Sequence, residues 1–279
     1  MANLTDYLPQ TRRDIVRMVH DVQSGHPGGS VGTVEFFTAL FHKMMDINPE
    51  NFKINSTGED VFLLSNGHIT PVYYSTLARR GYFSISELST FRKLGSRLQG
   101  HPSVHDGLPG IRIASGSLGQ GLSVALGVAQ GKKINKDNHL VYTLHGDGEL
   151  QEGQIWEAVL YAGAKNIDNL IATIDYNNAQ IDGKVDEVLS LGNLHAKFEA
   201  FNWHVIDIKE GNNLDAVIAG LEEAKKQTGK GKPVAVLLHT KMGFGIDFMQ
   251  GDYGWHGKPF SDEQRDQALA QLKETLGDY

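Results

Sequence analysis

A glycine-flanked aspartate and an asparagine pair carry the strongest chemical signal in the sequence. The aspartate is Asp147, in "GDGELQEGQIWEA" at residues 146–158, and the asparagines are Asn177 and Asn178. Each group follows a short apolar run that is typical of a buried strand. Asp147 and Asn177 are 30 residues apart, which is the length of one crossover helix and one returning strand. We therefore expect both side chains to leave neighbouring strands at one edge of a parallel sheet, where such sheets bind ligands.

The residue types at these positions suit a metal that holds a phosphate group. The Asp147 carboxylate and the Asn177 amide oxygen are hard ligands for Mg²⁺ or Ca²⁺, and Mg²⁺ commonly takes further ligands from water and phosphate. Gly148 precedes a predicted helix, whose N-terminus favours an anion, and glycine lets a diphosphate approach the backbone closely. For "GDG" alone, a tight strand-to-helix turn with a capping acid is the simpler interpretation. Asn177 at this offset favours the metal and the diphosphate instead.

A regular alternation of strands and helices must position these residues. The apolar runs predict strands at residues 60–65, 139–146, 169–178, 203–211 and 232–241. Helical spacing predicts helices at residues 10–23, 30–45, 70–80, 86–94, 120–134, 152–165, 193–202 and 213–228. A capping-box pattern at Ser261 and Gln264 predicts a final helix that carries Leu269, Leu272 and Leu276. The alternation predicts an α/β fold, a parallel sheet with helices on both faces, and one domain over residues 1–279.

Composition excludes several classes of protein. The 279 residues are 40% hydrophobic and 21% charged, which is ordinary for a soluble globular chain. A net charge of -7 argues against a surface for nucleic acid or an anionic membrane. The chain has no cysteine, so thiol catalysis and zinc–thiolate sites are excluded. Because the N-terminus lacks the apolar core of a signal peptide and no apolar run approaches the roughly 18 residues of a membrane span, we expect a cytoplasmic protein.

Six ordered motifs resemble those of one enzyme family. "GDGELQEG" followed by "DYNNAQIDG" resembles the thiamine diphosphate signature of transketolases. The other motifs that resemble this family are "SGHPGGSVG" at 24–32, "LSNGH" at 64–68, "QGHP" at 99–102, "GSLGQGLSVALGVA" at 116–129 and "GFG…HG" at 243–257. The resemblance covers residues 10–260. It implies the thiamine diphosphate-binding fold, thiamine diphosphate and Mg²⁺ (or Ca²⁺) as cofactors, and transfer of a two-carbon ketol unit from a ketose or its phosphate to an aldose.

The resemblance also implies which residues would bind the cofactors. The side chains of Asp147 and Asn177 and the carbonyl of Ala179 would bind the metal. Gly148 would meet the diphosphate through its backbone, while other backbone groups would face the aminopyrimidine. The implied cofactor-binding residues are His68, Gly116, Leu118, Asp147, Gly148, Asn177 and His256.

Four residues carry the catalytic roles that the resemblance implies. His26 and His101 would contact hydroxyl and carbonyl groups of the sugar. His256 would lie near the diphosphate and the reacting centre, and Glu152 would join a proton relay to the opposite subunit. His26 and His101 each lie in a glycine-containing loop, where binding residues concentrate on a rigid scaffold.

The sequence departs from the family pattern in ways that bear on assembly. Family members often have Cys or Met where Glu149 stands and Asp where Tyr176 stands, and neither residue has an implied role here, nor does His105. In the family, the glutamate that activates the aminopyrimidine belongs to a second domain, which no part of this sequence supplies. We therefore expect the N-terminal subunit of a split transketolase. Its partner would be a C-terminal subunit with the pyrimidine domain, in an α₂β₂ heterotetramer that acts on sugar phosphates without nucleic acid or membrane.

Three other functions stay open at this point. A different thiamine diphosphate enzyme, such as a deoxyxylulose-phosphate synthase or the alpha chain of a 2-oxo-acid dehydrogenase, shares the signature, although the histidine motifs fit sugar hydroxyls better. A non-catalytic assembly subunit would hold the cofactor without turnover, but intact His26, His101 and Glu152 argue against it. A nicotinamide oxidoreductase would need a G-x-G-x-x-G turn after the first strand, and that turn is missing.

Overall fold

Five parallel strands form the centre of the fold in the computed structural model, which describes residues 2–55 and 57–279. The strands are β1 (Val61–Leu64), β2 (Val141–Gly146), β3 (Leu170–Asp175), β4 (His204–Ile208) and β5 (Val234–Leu238). Their order across the sheet is β1-β2-β3-β5-β4, and every neighbouring pair is parallel. Gly146 pairs with Asp175 in register, so the residues that follow β2 and β3 leave the sheet side by side.

Ten α-helices accompany the strands over the described residues. They are α1 (Leu4–Val22), α2 (Pro27–Gly32), α3 (Val34–Ala39), α4 (Thr70–Arg80), α5 (Gly121–Ile134), α6 (Gly153–Ala164), α7 (Val185–Leu189), α8 (Leu194–Ala200), α9 (Leu214–Gln227) and α10 (Asp262–Gln271). A π-helical turn covers Leu40–Met44, and 3₁₀ turns cover Pro49–Asn51, Ile85–Thr90, Val104–Asp106, Gly148–Gln151 and Tyr253–Trp255. Capping boxes at Asn3 and Ser261 satisfy the first N–H groups of α1 and α10.

Alternate side chains of each strand enter two separate hydrophobic cores. Phe62 and Leu64 of β1 pack into the core that includes α1, α3, α4 and α9. Val61 and Leu63 point the other way, into the core built with α5 and α6. Because a strand that is apolar on both faces needs cover on both, the helices form two layers around the sheet. The predicted α/β fold, a parallel sheet with helices on both faces, is confirmed.

The predicted helix at residues 30–45 is wrong as one element. The chain there forms α2, α3 and the π-helical turn, with a break at Thr33, whose φ and ψ are -108° and 11°. The Thr33 hydroxyl donates to the Gly29 carbonyl at 2.9 Å. A Cβ on Gly32 would lie 2.9 Å from the Lys241 carbonyl oxygen, so the break lets two backbone segments approach closely.

Two other helix predictions need correction. Residues 86–94 form only the 3₁₀ turn that ends at Thr90, because Arg92 takes a left-handed φ of 55°. The last helix, α10, ends at Gln271, so Leu276 lies beyond it. The Leu276 N–H donates to the side chain of Gln10 on α1 at 2.9 Å. The α7 helix was not predicted from the sequence.

None of the helices within residues 2–55 and 57–279 combines the length and the apolar character that a membrane span requires.

Candidate active site

A cavity of about 330 Å³ lies where β2 and β3 end, at the carboxyl edge of the sheet. Open parallel sheets bind their ligands at this edge. The predicted site residues that line it are His26, His68, Gly116, Leu118, Asp147, Gly148, Glu152, Asn177, Ala179 and His256. His101 lies next to them, with its ring centroid 6.4 Å from that of His26. The fold therefore brings every predicted site residue to one place.

Two buried carboxyl groups lie at the ends of neighbouring strands: Asp147 directly follows β2, and Asp175 is the last residue of β3. Asp147 accepts hydrogen bonds from the N–H of Gly148 at 2.8 Å and from the N–H of Asn178 at 2.5 Å. Burial and then the nearby Asp175 carboxylate raise the pKa of Asp147 to about 8. Asp175 accepts from the Thr240 hydroxyl and, at 2.8 Å, from the Asn177 amide nitrogen, and burial raises its pKa to about 6. Asp175 was not among the site residues predicted from the sequence, although an acid at the end of an apolar run is a signal for such a residue.

The donor set around Asp147 fits a hard divalent cation. Asp147, Asn177 and the Ala179 carbonyl supply oxygen atoms, which are the ligands that Mg²⁺ and Ca²⁺ prefer. The Asp175 carboxylate accepts from the Asn177 amide nitrogen and so fixes the orientation of that side chain. Groups that hydrogen-bond to a metal ligand commonly orient it in this way. Among the described residues, no cluster of three or more His, Cys, Asp or Glu side chains could bind a metal. A cation beside Asp147 would favour its charged form.

Glu149 joins three loops of the cavity and was not assigned a role from the sequence. Its buried carboxylate accepts from the Ser65 hydroxyl, from the Gly119 N–H at 2.9 Å and from the Gly146 N–H at 3.2 Å. Burial opposes its ionisation, but His145 at 3.5 Å and these donors hold the pKa of Glu149 below its usual value. The carboxylate thus fixes the ends of β1 and β2 to the loop before α5.

Four histidine rings form a cluster on the loops around the cavity. The ring centroids of His26, His68 and His256 lie 5.0 to 5.5 Å from one another. Burial lowers the pKa of His26 to about 4, and it is also the main cause that lowers the pKa of His68, His101 and His256. The rings are therefore neutral near pH 7, and each can donate one hydrogen bond and accept another.

Several buried polar atoms at the cavity lack a partner within the described part of the chain. They are Nδ1 of His26, Nδ1 of His256 and Oδ1 of Asn66. Buried polar groups are normally hydrogen-bonded, and an exception calls for a ligand, water or ion. These atoms fit a polar ligand such as a diphosphate or a sugar.

The loop at residues 116–119 fits closely between two parts of the site. A Cβ on Gly116, where φ is 133°, would lie 2.6 Å from Cδ2 of His101. A Cβ on Gly119 would lie 2.9 Å from Cβ of Glu152, which precedes α6 and is exposed at the cavity. The glycines therefore allow His101 and Glu152 to pack against this loop.

His105 and Tyr176 lie outside the cavity. His105 is exposed on the short turn at Val104–Asp106. The Tyr176 ring packs against His239, with the centroids 5.0 Å apart. Neither side chain takes part in the site.

Comparison with known proteins decides the family. The family profile described as "Transketolase, thiamine diphosphate binding domain" matches residues 7–278. This chain belongs to the transketolase family. The predicted family is confirmed, and the family profile supports thiamine diphosphate as the cofactor of its domain.

Relatives of transketolase type include proteins of similar length. A 6-deoxy-6-sulfo-D-fructose transketolase subunit, SqwG, of Clostridium sp. (strain MSTE9) is 40% identical over 89% of this chain and 88% of its own length. An apulose-4-phosphate transketolase subunit of Phocaeicola vulgatus is 34% identical over 96% of this chain and 92% of its own length. Both relatives are named as subunits, which implies that each has a partner chain.

Solved transketolases share the fold over the whole chain. Transketolase from Leishmania mexicana superposes with a TM-score of 0.91 at 30% identity, covering 100% of this chain and 42% of that one. A Pichia stipitis transketolase in complex with sedoheptulose 7-phosphate superposes with a TM-score of 0.88 at 33% identity, covering 99% and 42%. The chain therefore spans about two fifths of the length of these transketolases.

Proposed function

We propose that this chain is the N-terminal, diphosphate-binding subunit of a split transketolase. The complete enzyme would transfer a two-carbon ketol unit from a ketose or ketose phosphate to an aldose or aldose phosphate. One observation carries the proposal: a pair of buried carboxylates and a cluster of neutral histidines line the same cavity in a chain of the transketolase family. The relatives that it matches over nearly their whole length are named as transketolase subunits.

The carboxylate side would hold the cofactor. Asp147, Asn177 and the Ala179 carbonyl bind Mg²⁺ (or Ca²⁺), and the backbone of Gly148 meets the diphosphate. His68 and His256 place uncharged donors near it, while the backbones of Gly116 and Leu118 face the aminopyrimidine. When bound, thiamine diphosphate supplies the nucleophilic carbon that carries the two-carbon unit between sugars.

The histidine side would handle the sugar. His26 and His101 donate to the carbonyl oxygen of the sugar and donate to or accept from its hydroxyl groups, because their rings are neutral near pH 7. His256 lies 5.5 Å from His26 between ring centroids, close enough for both to contact one reacting group. Proton transfer between these histidines and the reacting sugar would assist the reaction, and proton transfer of this kind typically contributes roughly 10²- to 10⁴-fold to a rate. Glu152, exposed at the cavity, passes protons to the opposite subunit.

The assembly would be an α₂β₂ heterotetramer in the cytoplasm. Residues 1–279 form one thiamine diphosphate-binding domain, and a separate chain supplies the pyrimidine and C-terminal domains. The subunit names of the similar-sized relatives support a second chain.

A substrate test separates this reaction from those of other thiamine diphosphate enzymes. The chain, purified with its co-expressed partner, is mixed with Mg²⁺, thiamine diphosphate, a ketose phosphate and an aldose phosphate. The proposal expects a product two carbons longer than the aldose, without release of CO₂. Decarboxylation of pyruvate or another 2-oxo acid, with no transfer between sugars, would refute it.

A further inference from the structure

Arg92 holds an unusual backbone conformation beside the histidine cluster. Its φ is 55°, in the left-handed region that side chains other than Gly, Asn and Asp seldom adopt. The Arg92 N–H donates to the Leu98 carbonyl at 2.8 Å, which closes the turn between the two residues. Glycine or asparagine would adopt this conformation at lower cost, so the presence of arginine points to a role of its side chain.

The guanidinium group of Arg92 reaches two loops that carry site histidines. Its Nη1 donates to Oγ of Ser24 at 2.8 Å, two residues before His26. Its Nη2 lies 3.4 Å from the carbonyl oxygen of Gly100, the residue directly before His101. A Cβ on Gly100 would lie 2.5 Å from Cζ of Arg92, so the guanidinium occupies the space that a side chain at position 100 would fill.

The preceding residue makes the apolar half of the same contact. Phe91 is fully buried, and its ring lies 3.6 Å from where a Cβ on Gly25 would be. Gly25 has a φ of 143°, which other residues rarely adopt, and its loop leads to His26. Phe91 and Arg92 together thus fill the space between the two loops.

The charge of Arg92 has no acidic partner in the described parts of the chain. Its hydrogen bonds go to a hydroxyl and a carbonyl, and the titratable group that acts on it is Tyr74. Its Nε is buried without a partner in the same described residues. An unpaired, half-buried cation is costly, and in this position its field reaches the two nearby imidazoles.

We propose that Arg92 is a positioning residue, which ties the loop of His26 to the loop of His101 and places an unpaired positive charge beside both rings. Its importance for catalysis rests on the proposed function, because only there do these histidines contact the sugar. The loop contacts and the charge themselves do not depend on that function.

The groups that lower the pKa differ among the four histidines, and Arg92 is among them for only two. His26 faces His256, Arg92 and His101, and all three lower its pKa after burial. For His101, burial and Arg92 lower the pKa. The pKa of His68 is lowered by burial and the other three histidines, and that of His256 by burial against the opposing effect of Asp182. Arg92 therefore acts on two rings of the cluster, and the other two serve as internal controls.

The test is an NMR titration of the histidine ring protons in the chain alone, between pH 8 and pH 3, so that a pKa of about 4 lies inside the range. Arg92→Gln removes the charge and keeps one donor, whereas Arg92→Lys keeps the charge. We expect Arg92→Gln to raise the pKa of His26 and His101 by roughly 0.5 or more, with His68 and His256 nearly unchanged. Arg92→Lys should restore values near those of the wild type.

Two results would overturn the proposal. The first is an unchanged pKa at His26 and His101 in Arg92→Gln, and the second is an equal rise at all four rings, which would indicate general loosening. If Arg92→Gln does not fold, Arg92→Met removes the charge and keeps an unbranched stem, and the proposal then requires a raised pKa at His26 and His101 with His68 unchanged.

A kinetic measurement on the complex with the partner chain adds the functional part. We expect Arg92→Gln to lower kcat several-fold while the Kd for thiamine diphosphate stays within about twofold. An unchanged kcat in a wild-type complex that transfers ketol units would contradict the positioning role. A wild-type complex with no transfer would refute the proposed function instead, and the NMR result would still decide the role of Arg92.

Discussion

The carboxylates and the histidines of the cavity are held in different ways. Asp147, Asp175 and Glu149 each accept two or more hydrogen bonds from backbone N–H groups or from neighbouring side chains. In contrast, Nδ1 of His26 and Nδ1 of His256 are buried without any partner in the described parts of the chain. The carboxylates are thus held by several donors of the fold, whereas Nδ1 of each of these two imidazoles has no such contact.

This difference follows from where each group lies in the fold. Asp175 ends a strand and Asp147 directly follows one, and the register of β2 with β3 places them together. The histidines come from loops and from the start of α2, where packing and glycine contacts hold them. A side that several hydrogen bonds of the fold hold in place suits a cofactor that stays bound, because a preorganised site needs no rearrangement. A side with free polar atoms suits a substrate that enters and leaves in each cycle.

Removal of a sugar-facing histidine should give the largest effect and should leave the other side intact. We expect His26→Ala and His101→Ala each to lower kcat for ketol transfer by roughly 10² or more, since proton transfer and orientation would be lost. The Kd for thiamine diphosphate should stay within about twofold, as measured by calorimetry on the complex. His105→Ala, exposed and outside the cavity, is the matched control and should keep wild-type kinetics. Equal loss of turnover and of cofactor binding would show that these histidines belong to the diphosphate side.

Removal of Asp147 should act on binding first. Asp147→Ala takes away the proposed charged metal ligand, so thiamine diphosphate affinity in the presence of Mg²⁺ should fall at least tenfold, which is about 1.4 kcal/mol. Calorimetry on the complex gives the Kd. Asp168→Ala, which removes a carboxylate that pairs with Lys133 away from the cavity, should bind the cofactor normally. An Asp147→Ala affinity equal to that of the wild type would remove the metal assignment.

Glu149→Gln tests whether the hydrogen bonds that the Glu149 carboxylate accepts hold the surrounding loops in place. The amide nitrogen would face a donor, either the Gly146 N–H or the Ser65 hydroxyl and Gly119 N–H, and buried donors would lose their acceptor. We expect the free energy of unfolding to fall by about 1–3 kcal/mol, measured with a chemical denaturant. Ser65→Ala removes one donor and should cost less. A Glu149→Gln variant as stable as the wild type would show that this network does not hold the loops.

A comparison of His26→Gln with the wild type should isolate the contribution of His26 to the pH dependence of stability. The pKa of His26 is near 6.5 in the unfolded chain and about 4 in the folded chain, with burial as the main cause. As pH falls from 6.5 to 4, the unfolded state binds the proton first, so the folded state loses stability in this window. We expect the melting temperature of His26→Gln to fall less than that of the wild type between pH 6.5 and pH 4.5. Parallel curves would mean that His26 is less buried than the structure shows.

The sequence predicted the residues at the strand ends better than the contacts between loops that are distant in the chain. Asp147 and Asn177 could be placed together because a parallel sheet converts a separation of 30 residues into neighbouring positions. The histidine loops came together only through the family resemblance, since no periodicity places residues 26, 68, 101 and 256 side by side. The contacts of Glu149 and Arg92 join segments far apart in the chain, and such contacts leave no local pattern. The helix at 30–45 failed for the same reason, because Gly32 meets the distant backbone of Lys241.

The most direct test of the account is ketol transfer by the chain alone and with its partner. Under the proposed function, the cavity has the diphosphate-side residues, and the partner chain would supply the glutamate that activates the aminopyrimidine. With excess Mg²⁺, thiamine diphosphate and sugar phosphates, we expect no transfer by the purified chain and turnover on addition of the separate pyrimidine-domain chain. Turnover by this chain alone at ordinary enzyme rates, about 1–10³ per second, would contradict the account.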